Sequence, residues 1–556
     1  VERARSLGMK AYLYDEDRWP SGAAGGIVTR KNPEYGMVFL QCTTSAEPAK
    51  NAERLATFDV ALDESGRMLS YREADASAAA APGGSRVSFD VVPTPTSPGY
   101  NDGQYLDTMN PDAVAEFIHV THQAYADRYG EDFGGVIPAI FTDEPNYGSA
   151  STDPATGAHK MVWTSQMPRE FVKRRGYDLR QCLPELVFPS VGGEFSKVRH
   201  DYFRTATELF VEAFSRQVGK WCGKHRIALT GHMLCEETLK RQINYVGSCM
   251  PHYEHMQWPG IDILTDQDEE LITAKQCSSV ADQLGRQRVL SELYGVTGWD
   301  WPLEGHKFVG DWQYAVGVNF RCPHLTHFSL AGGAKRDYPA SIFSHSPWWP
   351  YYGVVEDYFG RLSLALTQGK PVRDVLVIHN VESGWGACFR AGKQELLTEL
   401  DDGLAKLTRT LSDQHYDWDF ADESLLASHG QVNTKGIKVG RLTYKLAVVP
   451  PSVTLRKTTV DLLAELLAKG GSVLFVGRRP TLVDSEPGKE IDNLVAAGTC
   501  CDNADAATAA IEPVLARRVS ITQDGRQQTC IWSMLRKGDQ GQLLFVQSHD
   551  RAAGHR

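Results

Sequence analysis

Two strings carry acids where apolar runs end. "VIPAIFTDEPNYG" closes a run from Val136 to Phe141 with Thr142, Asp143, Glu144 and Pro145. "RVLSELYGVTGWDWP" puts Glu292 after Val289 and Leu290, with Tyr294, Trp299 and Trp301 close behind. Two carboxyl groups flanking one glycosidic bond are what glycoside hydrolysis commonly needs. One stays protonated and donates to the leaving oxygen, while the other is ionised and attacks carbon or activates water. Strand ends hold such a pair rigidly, and unequal surroundings split their pKa values. Each acid also has a plainer reading. Asp143 and Glu144 could be a helix cap and a solvated loop acid, and Glu292 a buried acid paired with an arginine.

Three further groups are candidates. His232 and Glu236 in "ALTGHMLCEET" follow a strand, and Glu236 either binds substrate, replaces Glu292 or begins a helix. "YLYDEDRWPSGAAGG", from Tyr12 to Gly26, sets Asp15, Glu16, Arg18 and Trp19 before a Pro-Ser-Gly turn. Its acids and arginine can bond sugar hydroxyls and its tryptophan can pack on a ring, or the string is a salt-bridge brace. His324, in "CPHLTH", stands near another strand end and is read as a substrate contact or as part of the core. With Tyr294 and Trp301 these make up the expected substrate-binding set. No H-E-x-x-H, P-loop or G-x-S-x-G string occurs, so a zinc protease, a phosphate loop and a nucleophile elbow find no support.

The elements that must position these residues follow one grammar. An amphipathic helix leads into a short apolar strand, and polar residues crowd the strand's C-terminal end. "AEFIHVTHQAYADRYGEDFGGVIPAIFTDEP" and "LFVEAFSRQVGKWCGKHRIALTGHMLCEE" are two instances. Such alternation predicts βα units and a parallel sheet. Six strands are expected before about residue 330, and one lost ahead of Val1 would fit a (β/α)8 TIM-type barrel truncated at its N-terminus. An open doubly wound sheet is the alternative. Polar residues after successive strands favour the barrel, whose sites form there. The expected domains are an α/β catalytic barrel over 1–368 with a β insertion at about 37–100, and a small doubly wound α/β domain over 369–498. A β-rich segment over 499–556, the start of a β-sandwich, completes the chain. The alanine-rich "ADASAAAAPGGS" is read as a linker inside the insertion.

The 556 residues suffice for several domains, and composition is ordinary: 42% hydrophobic, 10% aromatic and 23% charged. A net charge of −11 without a basic tract argues against nucleic acid and anionic membranes. No apolar run is long enough for a membrane-spanning helix. Eleven cysteines without a C-x-x-C read as scattered thiols.

"YLYDEDRWPSGAAGG", "YLDTMNPDAVAEFI", "IFTDEPNYG", "REFVKRRGYDL", "TGHMLCEE", "PGIDIL" and "VLSELYG", in this order over roughly residues 1–365, resemble glycoside hydrolase family 106, the α-L-rhamnosidases. The stretch after the barrel is similar to the middle domain of family 42 β-galactosidases. The resemblance implies a barrel with β-rich accessory domains and inverting removal of terminal α-L-rhamnose. It puts the acid on Glu144 or Asp143 and the base on Glu292. It implies a carbohydrate partner, no certain cofactor, calcium as an option near the sugar, and a secreted or periplasmic setting. In one respect the chain departs from the family: its acids are adjacent and followed by proline, closer to the Asn-Glu-Pro of retaining clan-A hydrolases. A retaining β-galactosidase-like exo-glycosidase, a non-catalytic sugar-binding relative and a polysaccharide lyase are the alternatives.

Overall fold

The structure, a computed structural model, describes residues 1–556 except 46, 76–83, 328, 337, 339–341 and 552–556. Most of the alanine-rich linker lies outside the described residues. Twelve strands concern the first two sheets. They are β1 (Leu13–Tyr14), β2 (Val38–Thr43), β3 (Glu53–Leu62), β4 (Met68–Glu73), β5 (Ser85–Pro93), β6 (Ala139–Asp143), β7 (Ser151–Thr152), β8 (His159–Trp163), β9 (Ala228–His232), β10 (Trp258–Ile263), β11 (Leu290–Leu293) and β12 (Phe320–Pro323).

Six of them form one parallel sheet in the order β1-β6-β9-β10-β11-β12. It curls into part of a barrel. The rings of Tyr12 and Phe320, from its two edges, approach to 6.1 Å, but β1 and β12 do not pair. Helices between the strands cover the outer face, and their ends are written in the sequence. Asn110 accepts from the backbone N–H groups of Asp112 and Ala113, Pro111 follows it, and the helix Pro111–Ile118 begins. Ser196 caps the helix Lys197–Phe210 in the same way. Gly285, with φ +76°, ends the helix Leu271–Leu284. Ile140, Leu229 and Ile261 are fully buried between sheet and helices.

The strand period of two decides which residues face the barrel interior. Tyr12, Tyr14, Phe141, Asp143, Leu290, Glu292, Phe320 and Cys322 line a cavity of about 520 Å³ between β1 and β12. Asp143 is in register with His232, and Asp262 with Glu292, so these side chains share that face. Asp15 is buried behind it, against Ser21 and His122.

The β insertion is wider than the 37–100 segment. The antiparallel order is β4-β3-β5-β2-β8-β7, so the loop after β6 contributes two strands to a sheet begun by the loop after β1. Both acid-bearing loops are thereby anchored in one sheet.

Beyond the barrel, five parallel strands run in the order Trp418–Ala421, Val375–Ile378, Leu446–Val449, Ser472–Val476, Thr499–Cys501. Thr499–Cys501 corrects the expected boundary at 499. It pairs with Ser472–Val476 inside this sheet, and the helix Ala504–Ile511 follows it. The antiparallel hairpin comes later, Ile531–Gly538 with Gly541–Ser548, and adds Lys370–Pro371 as its third strand. A buried charge network fastens this unit to the barrel. Arg373 donates to Asp282 of the helix Leu271–Leu284 at 2.7 Å, to Asp419 at 2.8 Å and to Asp417 at 3.0 Å. Removing one partner of such a network strands the others without compensation.

Candidate active site

Acids from three strand ends converge on one imidazole. His232, fully buried at the end of β9, places Nε2 3.2 Å from Glu292 Oε2 and 3.5 Å from Asp143 Oδ1. Its Nδ1 lies 4.0 Å from Asp262 Oδ2. His324 comes within 3.6 Å of the other Glu292 oxygen. Tyr14 donates to Asp143 and stands 2.8 Å from Glu16 Oε1.

Asp143 reaches this face by simple alternation, so Glu144 should point the other way. It does not, because its φ is +49°. That left-handed turn brings a Glu144 oxygen within 4.8 Å of donor atoms on His232 and Asp262. Trp19, half exposed at the rim, donates its indole N–H to Glu144 Oε2 at 2.6 Å. Cys235 (+61°), Thr265 (+67°) and Tyr294 (+78°) also hold positive φ just past β9, β10 and β11. Non-glycine residues held there store strain, which concentrates at functional sites.

Crowding sets the proton affinities. Burial, then the charges of Asp143, Glu144 and Glu16, push Glu292 up to about 8. Burial and Asp143 raise Glu144 to about 7, against the Trp19 hydrogen bond. Glu16 rises to about 8 and Asp262 well above the carboxylate range, burial again leading. Burial lowers His232 to about 4, so it is neutral at pH 7. Near neutrality the cluster holds protons as a unit while keeping some negative charge.

Several candidates stand elsewhere. Asp15 faces behind the sheet, where it accepts from Ser21 Oγ at 2.5 Å and lies 3.6 Å from His122; it braces the barrel and cannot bind sugar in the cavity. Glu236, only 3% exposed, accepts from Tyr253 and, at 3.2 Å, from the Asp262 backbone N–H. It supports β10 and is no replacement for Glu292. Tyr294 is fully buried, donating to the His306 carbonyl at 2.9 Å, and Trp301 packs on the same histidine. The turn at Tyr294 sends both away from the cavity. Arg18 is exposed and donates to Asn101 at 3.1 Å. Tyr14 and Asp262 were missed. The signal was there in the alternation of Tyr12, Tyr14 and Glu16, and of Ile261, Asp262 and Ile263.

Among the described residues two sets could hold a cation: Asp143, His232 and Glu292, or Glu144, His232 and Asp262, with donor atoms within 4.8 Å of one another. Their carboxylates suit calcium, but the shared centre is a buried imidazole, and calcium takes oxygen ligands. The sets therefore do not fit calcium, and a mixed imidazole–carboxylate group suits a transition ion better. The cysteines are all free thiols.

A curled parallel sheet with carboxyl groups gathered at its C-terminal strand ends is the equipment of the barrel-type sugar hydrolases. A family model described as Glyco_hydro_106, alpha-L-rhamnosidase, matches residues 91–497. That is well over half of the chain, and the chain belongs to glycoside hydrolase family 106. A rhamnosidase from Novosphingobium sp. PP1Y superimposes with a TM-score of 0.60 at 19% identity, over 85% of this chain and 46% of that one. A beta-galactosidase from Bacillus circulans sp. alkalophilus gives 0.54 at 12% identity, over 87% and 63%. A protein of Formosa agariphila named "Putative beta-glucuronidase" is 24% identical over 413 residues, 72% of this chain and 32% of that protein. The chain thus spans about a third of the curated relative's length and under half of the rhamnosidase's. No helix among the described residues is long and apolar enough to cross a membrane.

Proposed function

We propose that this chain carries the catalytic site of an exo-acting glycoside hydrolase of the (β/α)8 class that removes a terminal neutral sugar, α-L-rhamnose first. Glu144 donates its proton to the leaving oxygen and Glu292 acts as general base on water, with inversion; Glu292 holds a proton more tightly in the empty cluster, so bound sugar has to draw the shared proton to Glu144. One observation carries this reading. Glu144 and Glu292, far apart in sequence, both reach the surroundings of one buried histidine at strand ends.

One distance bears on the choice of partners. Asp143 and Glu292 bring oxygens within 4.8 Å of each other, too close for the roughly 6.5–9.5 Å that leaves room for a water and an inverting reaction. An inverting reaction would need Glu144 rather than Asp143 opposite Glu292, with Asp143 tuning the charge of both. The same closeness supports a second reading. Asp143 with Glu292 lies near the roughly 5 Å of a retaining pair, in which Glu292 attacks the sugar carbon directly.

The electrostatics favour a neutral sugar. Asp143, Glu144, Asp262 and Glu292 surround the site, while Arg241 is paired with Glu237 and Arg321 with Glu356. A uronate would meet like charge, which counts against the glucuronide suggested by the name of the Formosa agariphila relative.

The test is a panel of aryl α-L-rhamnoside, β-D-galactoside and β-D-glucuronide, offered to the wild type, Glu144→Gln and Glu292→Gln. The first-formed anomer is read by proton NMR. Rhamnoside turnover lost in both variants, with inversion, is expected. Retention would replace Glu144 by Asp143 in the pair. A glucuronide preference would refute the electrostatic argument, and binding without turnover would make the chain a sugar-binding relative.

A further inference from the structure

The segment after β9 is held in place by the α/β unit rather than by the barrel alone. The helix Leu239–Tyr245 starts three residues after Glu236, and its first N–H groups need acceptors. Thr238 accepts from the Arg241 N–H at 3.2 Å. The N–H groups of Leu239 and Lys240 are taken by Asp401, at 2.9 and 3.5 Å. Asp401 belongs to the helix Glu395–Asp413 of the other unit.

The rest of the segment is pinned from the same side. Trp385 donates to the Gly247 carbonyl at 2.9 Å, Ser248 donates to Asp422 at 3.2 Å, and Arg390 donates to the Asn244 side chain at 2.9 Å. Gly384 lets the two units lie close, since a Cβ there would stand 2.8 Å from Ile243 Cδ1. The far end of the segment then holds the loop of the acids. The Tyr147 N–H donates to the Tyr245 carbonyl at 3.0 Å and the Tyr147 hydroxyl to the Ile243 carbonyl at 2.5 Å. Tyr147 lies three residues beyond Glu144.

We propose that Asp401 is a positioning residue of the active site: by capping the helix Leu239–Tyr245 from the α/β unit, it fixes that helix and, through Tyr147, the loop that presents Glu144. The α/β unit is on this view a working part of the site. The assignment to catalysis rests on the reading of Glu144 above, while the structural link does not.

The experiment uses the whole chain with Asp401→Ala, Asp401→Asn and a control cap, Asn503→Ala. Asn503 accepts from the Ala506 N–H at 3.1 Å in the same unit and makes no bond to residues 239–245. Hydrogen exchange is followed at 239–246 and at Tyr147, alongside kcat, KM and Tm with the best aryl glycoside. In Asp401→Ala the amides of 239–246 and Tyr147 should lose protection. Its kcat should fall about tenfold or more with KM changed less than about threefold, since small misplacements of a reacting group are costly. Asp401→Asn keeps an acceptor oxygen and should restore most of both. Asn503→Ala should lower Tm comparably and leave kcat and these amides alone. Unchanged protection in Asp401→Ala, or a kcat loss matched by Asn503→Ala at equal Tm, overturns the proposal. If the wild type cleaves none of the sugars, the reading of Glu144 fails while exchange still decides the link.

Discussion

Glu292→Gln should make the protein more stable and catalytically dead, and the stability gain should grow with pH. Glu292 is 9% exposed and its proton affinity is raised from an ordinary 4.5 to about 8. A group whose pKa is raised by folding leaves full stability below its unfolded pKa. That stability is lost as pH rises through the window from about 4.5 to about 8. At about 1.4 kcal/mol per unit the whole window is worth at most ~5 kcal/mol, and relaxation with coupled titration reduces it to roughly 1–2 kcal/mol. An amide of the same shape carries no charge and does not incur the loss. Tm of Glu292→Gln should match the wild type near pH 4.5 and exceed it by a few degrees near pH 8. Turnover should fall about 10²–10⁴-fold, the usual worth of general-base help. Thermal melts at both pH values and aryl-glycoside kinetics measure the two effects on one sample. A Tm difference that is constant with pH, or that shrinks as pH rises, would refute the electrostatic account. Wild-type turnover in a folded variant would move the base to Asp143.

Three further outcomes follow from the same geometry. Glu144→Gln removes one charge that raises Glu292. With a dinitrophenyl leaving group that needs no acid, the acidic limb of kcat/KM should therefore move to lower pH, and an upward shift would contradict the charge assignment. Trp19→Phe deletes the N–H bonded to Glu144 but keeps a smaller aromatic face, and Trp19→Ala deletes the whole rim platform, so the first should lower kcat severalfold and the second also raise KM. Neither should shift Tm much, because Trp19 is 54% exposed; a collapse of Tm with unchanged kinetics would make Trp19 a brace. Asp15→Asn should leave KM within about threefold and change stability instead, since Asp15 touches Ser21 and His122 behind the sheet and its substitution is felt as a core change. A large KM rise with unchanged Tm would return it to the sugar site.

Much of this was legible in the residues themselves. Apolar runs ending in acids, with capped helices between them, determined a parallel sheet whose strand ends carry Asp143, His232 and Glu292. These signals are local, set by the periods of strand and helix and by the chemistry of Asn110, Pro111 and Gly285. The family strings, too, stand in the sequence in order. What tertiary structure decided is the direction of each side chain. Asp15 and Glu16 are neighbours in one acidic string, and the pleat alone sends one behind the sheet and the other to the cavity. Glu144 should have followed Asp15 away from the site, and a single left-handed backbone turn returns it. Glu236 looked like a catalytic acid until the fold set Tyr253 and the Asp262 backbone around it. The capping of residue 239 by Asp401, and the entry of Thr499–Cys501 into the five-stranded sheet, depend on partners far away in the chain. Residue types and spacing announce which groups are able to do chemistry. Which of them meet is settled only when the pleat, a few strained dihedrals and long-range packing have fixed where each one points.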